Sequence, residues 1–262
     1  MPQSSEYTRR IAGLCLLAGK IMIENGAETY RVEDTMTRIA RAYGLPRSHS
    51  FVTPTGIIFT IEGAEGEGAD SFTSLSRITN RATDLQKVME VNAISRRIGA
   101  GELSADGAYR LLKETESGGK GYPARLKTAA AAVASGCFLI MFGGSWNDFV
   151  PAMAAGGAGY LALICASGRI AIKLFAEFVA SFAVGLLACL FVLAGWGREL
   201  DSIVIGSVMP LVPGVLITNA VRDLMAGHFV SGLSKGAEAL LTAFAIGAGI
   251  AIVLALRGGV AL

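Results

Sequence analysis

Long apolar runs after about residue 122 leave this chain few folds to choose from. Most of its Lys, Arg, Asp and Glu lie before about residue 127, and the remainder is dominated by Ala, Gly, Leu, Val, Ile and Phe. A helix crossing a bilayer needs about 20 consecutive apolar residues. Segments at 126–145, 149–167, 174–195, 202–220 and 236–256 meet that length. The expected architecture is an α+β domain over 1–121 followed by an all-α polytopic membrane domain of about five transmembrane helices over 122–262. The fourth segment is irregular, because it contains Met209-Pro210-Leu211-Val212-Pro213-Gly214. Each proline removes a backbone donor and clashes with the preceding turn, at about 3 kcal/mol in a helix interior. Hydrocarbon cannot solvate the freed carbonyls, so protein or a water-filled cavity must receive them. Interrupted helices of this kind bind substrates and ions in secondary carriers. Pro210, Pro213 and Gly214 are therefore candidates for a substrate path, with a packed kink as the plainer alternative.

The charged part reads as alternating helix and strand. Ile11, Leu14, Cys15, Ala18, Ile21 and Met22 recur at helical spacing and stop at Asn25-Gly26. Arg9-Arg10 before an apolar run imitates a signal peptide, but Lys20 and Glu24 interrupt it and no small-residue cleavage site follows, so no cleaved leader is expected. A second helix is expected over 29–43, with Val32, Met36, Ile39, Ala40 and Tyr43 inward. The period then becomes two from Ser50 to Glu62, which predicts a strand with Pro54 and Gly56 at a bulge or at its true beginning. Gly63 to Gly68 reads as a turn, and Ser71 to Ile78 as a second strand. Leu85, Val88, Val91, Ile94 and Ile98 predict another helix. A last one starts at the N-cap Ser104, before a linker at Ser117-Gly118-Gly119-Lys120-Gly121.

The net charge of +2 and the lack of a basic cluster interleaved with aromatics exclude a nucleic-acid partner. Four dispersed cysteines and the isolated, solvated His49 and His228 suggest neither a disulfide framework nor a metal site. There is no nucleophile elbow, catalytic constellation or phosphate-binding glycine loop, so no cofactor is expected. Arg169 and Lys173 follow the second apolar segment, and Arg222 and Lys235 the fourth. By the positive-inside rule those connections and the N-terminal domain face the cytoplasm of an inner-membrane protein, with the C-terminus outside.

Polar residues in or beside apolar segments are the remaining candidates. Thr218, Asn219, Arg222 and Asp223 follow the break. Asn219 and Asp223 share a helix face and could hold a polar substrate, while Arg222 and Asp223 could equally be an interfacial pair. Glu177, one turn after Lys173, is a candidate for proton coupling, and Glu238 a weaker one. Glu28, Arg31 and Glu33 gather charge at a helix start, where they could initiate the helix or gate a cytosolic entrance. Small residues at Ala152, Gly156 and Gly159, at Gly185 and Cys189, and at Gly247 and Ala251 allow close helix packing.

The segment Gly26-Ala27-Glu28-Thr29-Tyr30-Arg31-Val32-Glu33, with Phe51-Val52-Thr53-Pro54-Thr55-Gly56, resembles the cytosolic domain of the threonine/serine exporter family. Pro210 to Gly214, Thr218 to Asp223, Gly232 and Glu238-Ala239-Leu240-Leu241 resemble that family's fourth and fifth spans. The resemblance adds Thr53 and Thr55 to the candidate gate. It implies proton-driven export of small carboxylate-bearing metabolites, threonine and serine or a dicarboxylate such as succinate. It also implies the larger, YjjP-like component of a split transporter, partnered by a small YjjB-like membrane subunit or a homo-oligomer. A membrane-anchored enzyme with catalysis in the α+β domain and a non-transporting scaffold or sensor are the rival readings.

Overall fold

The computed structural model describes residues 2–62, 71–118, 121–170 and 172–260. They form two compact units: Met1–Gly121 with Val215–Ala237, and Tyr122–Gly214 with Glu238–Leu262.

In the first unit, α1 (Pro2–Glu24) and α2 (Thr29–Ala42) meet at a tight corner. Gly26 takes the left-handed conformation there, with φ of 91°, and the Ala27 N–H donates to the Met22 carbonyl at 3.1 Å. The inward stripe of α1 and Val32, Met36, Ile39 and Ala40 of α2 are buried as their spacing predicts. They pack with Ile57, Phe59 and Ile61 from a three-stranded antiparallel sheet of β1 (Ser48–Thr53), β2 (Gly56–Glu62) and β3 (Ser71–Arg77).

The strand expected over Ser50 to Glu62 is a hairpin whose second strand begins at Gly56, one of the two expectations for Pro54 and Gly56, with Val52 opposite Ile57. Its turn is closed by Thr53, whose hydroxyl accepts from the Gly56 N–H at 3.1 Å and donates to the Gly56 carbonyl at 3.0 Å. Pro54 lacks a donor and so punctuates the chain. The two-residue turn shifts the phase of the alternation, so that Val52 joins Ile57, Phe59 and Ile61 on the buried face while Phe51 is exposed opposite Ile58. The turn expected at Gly63 to Gly68 lies outside the described residues, as do Gly119 and Lys120 of the linker. Helices α3 (Leu85–Gly99) and α4 (Ala105–Ser117) complete the layer, capped by the Asp84 and Ser104 side chains.

The second unit packs α5 (Ala124–Met141), α6 (Phe149–Ser167), α7 (Lys173–Leu193) and α8 (Leu200–Val208) with the later part of α10 (Phe229–Val260). Glycines set the spacing of these helices. A Cβ on Gly156 would collide with Ser135, one on Gly159 with Val184, and one on Gly249 with Ser181. Asp148, fully buried, accepts from the Arg198 N–H at 2.6 Å and the Glu199 N–H at 3.3 Å, which fixes the approach to α8.

Among the described residues, Ala124–Met141, Trp146–Ser167, Lys173–Leu193 and Phe229–Gly258 are long and apolar enough to cross a membrane. The expected fourth span, 202–220, is not one helix. After α8 the chain tightens into a 3-10 turn at Met209–Leu211, becomes extended at Val212, and resumes as α9 (Gly214–Met225). The missing proline donors and the lost helical register at Val212 account for the break.

Candidate functional site

The N-terminus of α2 begins with no cap from its own neighbourhood, since the Glu28 side chain makes no capping bond. A helix start leaves backbone donors without partners. Here a residue distant in sequence supplies one. Asp223 of α9, fully buried, accepts from the Thr29 N–H at 2.9 Å through Oδ1 and from the Thr29 hydroxyl at 2.8 Å through Oδ2. Lys235 of α10 donates to the same carboxylate at 2.7 Å, to the Ala27 carbonyl at 3.2 Å and to Thr29 Oγ1 at 3.4 Å. These bonds engage all three ammonium hydrogens, which is what allows a lysine that is only 5% exposed to remain in place. Ser231 Oγ adds a 2.6 Å bond to Thr29 Oγ1, and Asn219 Nδ2 donates to the Gly26 carbonyl at 2.7 Å.

A second layer surrounds this clasp. Arg222 donates to Glu28 Oε1 at 2.6 Å, and Arg31 to Glu28 Oε2 at 3.1 Å. Burial works against the Glu28 charge, but the backbone N–H and the two guanidiniums outweigh it and hold its carboxyl below the ordinary carboxylate range. Glu33 accepts from the Val52 N–H at 3.2 Å and lies 3.9 Å from His228 Nε2. Burial pushes the Glu33 carboxyl up, against the opposing pull of His228.

Several expectations are corrected by this arrangement. Arg222 and Asp223 do not pair with each other, because consecutive helical residues point about 100° apart; their partners are Glu28 and Lys235. His228 is half-buried against Glu33, not isolated in solvent. Thr53 and Thr55 lie at the β1–β2 turn, where the Thr53 hydroxyl is 3.4 Å from that of Thr55, and they hold the hairpin. Thr218 is exposed on α9 and donates to the Val215 carbonyl at 3.0 Å. Pro210, Pro213 and Gly214 belong to the second unit, as do Glu177 and Glu238, which lie 3.9 Å and 3.2 Å from Lys173 Nζ.

The structure brings the sequence candidates Glu28, Asn219, Arg222 and Asp223 together with Thr29, Ser231 and Lys235, which sequence reasoning did not single out. Thr29 read as an ordinary helix start and Lys235 as a topology marker. The missed signal was a lysine flanked by Leu233, Ala237 and Ala239, which needed a buried partner. With every strong donor and acceptor of Asp223 and Lys235 engaged, the clasp is chemically a closure, and a ligand could reach it only after it opened.

Residues 13–257 match the family described as "Putative threonine/serine exporter". The chain belongs to the threonine/serine exporter family. Among its relatives in that family, the "Probable threonine/serine exporter" of Mycobacterium tuberculosis is 25% identical over 254 residues, covering 96% of this chain and 47% of the relative. The "Probable succinate transporter subunit YjjP" of Escherichia coli is 24% identical over 255 residues, covering 97% of each. The "Threonine/serine exporter" of Corynebacterium glutamicum is 23% identical over 253 residues, covering 93% of this chain and 51% of the relative. The chain thus spans about half of these two proteins named as threonine/serine exporters and nearly all of the Escherichia coli protein named as a transporter subunit. No solved structure matches it. Membership of this exporter family, with its apolar helices, makes the chain a multi-pass membrane protein.

Proposed function

We propose that the chain is a subunit of an inner-membrane secondary exporter for small carboxylate-bearing metabolites, driven by the proton gradient. The observation that carries this reading is the stopped helix between α8 and α9 in a member of an exporter family. Irregular backbone within an apolar segment suits a carrier, because amides and carbonyls left out of the helix can meet a polar solute. Pro210, Pro213, Gly214 and Thr218 are assigned to the substrate path. The clasp on α2, α9 and α10 is assigned to the cytoplasmic side, where its opening would release α9 from the α1–α2 corner. Positive residues following the second and fourth apolar segments support that orientation, with the C-terminus outside.

Threonine, serine and succinate are the substrates to test, since they share a carboxylate and the relatives' names divide between them. A small YjjB-like membrane subunit is the proposed partner, supported by the subunit designation of the relative that covers almost the same length. The test is co-purification with small membrane proteins expressed alongside it, followed by counterflow of the labelled solutes in liposomes. Exchange of one of them above protein-free vesicles is expected. No exchange of any, with or without a companion subunit, would reject the reading.

A further inference from the structure

Within the second unit, α7 and α10 enclose two buried polar groups that the clasp does not use. Glu177 is 5% exposed and its Oε2 has no hydrogen-bond partner among the described residues; Thr242 is 1% exposed and its hydroxyl has none either. The two side chains lie beside each other. Helix packing is close here, since a Cβ on Gly249 would meet Ser181 and the Phe178 carbonyl of α7. Lys173 is the cation facing the pair, but it sits 3.2 Å from Glu238 and 3.9 Å from the other Glu177 oxygen, with most of its side chain exposed. Its charge is therefore shared and largely solvated. Helix α6, packed along α7, contains no charged residue, and its Tyr160 packs near Ala180 and Val184. The charged residue of α8, Asp201, lies in its first turn.

The Thr242 hydroxyl can donate to an ionised Glu177 or accept from its carboxyl, but a carboxylate this buried with one neutral hydroxyl beside it is disfavoured, and a proton on Oε2 removes the charge. We infer that Glu177 Oε2 is a proton-binding site whose bound proton is donated to Thr242 Oγ1, and that this is the proton exchanged during transport. Lys173 and Glu238 form its rim: when Glu177 ionises, Lys173 can swing from Glu238 toward it. The balance is simple, with one O–H bond made on uptake and broken on release, and no electron transfer. The coupling half of this inference rests on the exporter reading; the proton site does not.

Two experiments separate them. In pH-difference infrared spectra of the full-length protein, wild type is expected to show a buried carboxylic C=O band that E177Q lacks and that T242V shifts by removing its acceptor. Identical bands in wild type and E177Q would overturn the site, and an unshifted band in T242V would overturn Thr242 as acceptor. In liposomes, E177Q that elutes as a monodisperse peak is expected to keep solute counterflow while losing pH-driven accumulation. With one proton per cycle, a one-unit gradient gives wild type up to about tenfold accumulation. Accumulation by E177Q equal to wild type would overturn the coupling role. E177D, which keeps a carboxyl, is expected to retain part of both signals, and complete loss of both in E177D would also count against it. If wild type itself shows no counterflow, the exporter reading fails while the infrared result still decides the proton site.

Discussion

Asp223 serves two purposes with one carboxylate: it caps α2 and it neutralises Lys235. Removing either partner of a buried pair leaves an uncompensated charge, at about 3–5 kcal/mol. D223A and K235A are each expected to lower the thermal unfolding midpoint in detergent. The double variant should cost less than the two single costs combined, because neither charge then remains alone; strict additivity would show that the two residues do not interact. Glu28 and Glu33 should respond to pH with opposite signs. The Glu28 carboxyl is lowered by folding, so its contribution is present above the ordinary carboxylate range and lost as pH falls through the folded value. E28Q is expected to be less stable than wild type at neutral pH and to converge with it in acid. The Glu33 carboxyl is raised, so its ionisation opposes folding progressively as pH rises above the ordinary range. E33Q, which can still accept from Val52, should match or exceed wild type at neutral pH, and that difference should close on acidification. Unfolding curves at several pH values check both signs.

At the scale of elements, helix contacts in the second unit depend on missing side chains. Gly156 of α6 faces Ser135 of α5, and the Ser207 carbonyl of α8 would lie 3.1 Å from an added Cβ. G156A is expected to destabilise by about 1–3 kcal/mol through overpacking. S135G should recover part of that loss by clearing one wall, and no recovery would place the strain elsewhere. The interruption after α8 has a functional prediction. P213L restores a donor where the chain is extended and is expected to impair export without preventing membrane insertion, read by counterflow beside a fractionation control. These elements were unequally legible in the sequence. The stripes of α1 and α2 and the Ser104 start could be read because local periodicity and capping determine them. So could the stop at Pro210 to Pro213, because proline chemistry is local. The β1–β2 turn was hidden, since Phe51 continues the odd-numbered series of Ile57, Phe59 and Ile61 in sequence, although it is exposed and Val52 is the buried residue. The glycine contacts were legible as small residues but not as pairs, because partners such as Ser135 and Gly156 meet only in three dimensions.

The whole molecule is built from discontinuous segments, which is why half of the clasp escaped sequence reasoning. The first unit takes in Val215–Ala237, and nothing in the local pattern of Gly26 to Glu33 announces that its partners come so late. The 194 residues separating Thr29 from Asp223 also impose an order on biosynthesis. At about 5–20 residues per second, the ribosome needs roughly 10–40 s to deliver the cap after making the amide that needs it. Throughout that interval the Thr29 amide lacks the carboxylate that caps it in the folded protein, while the apolar segments from α5 onward are already being made. The start of α2 is therefore completed only once α9 has been made, however early α1 and α2 themselves form.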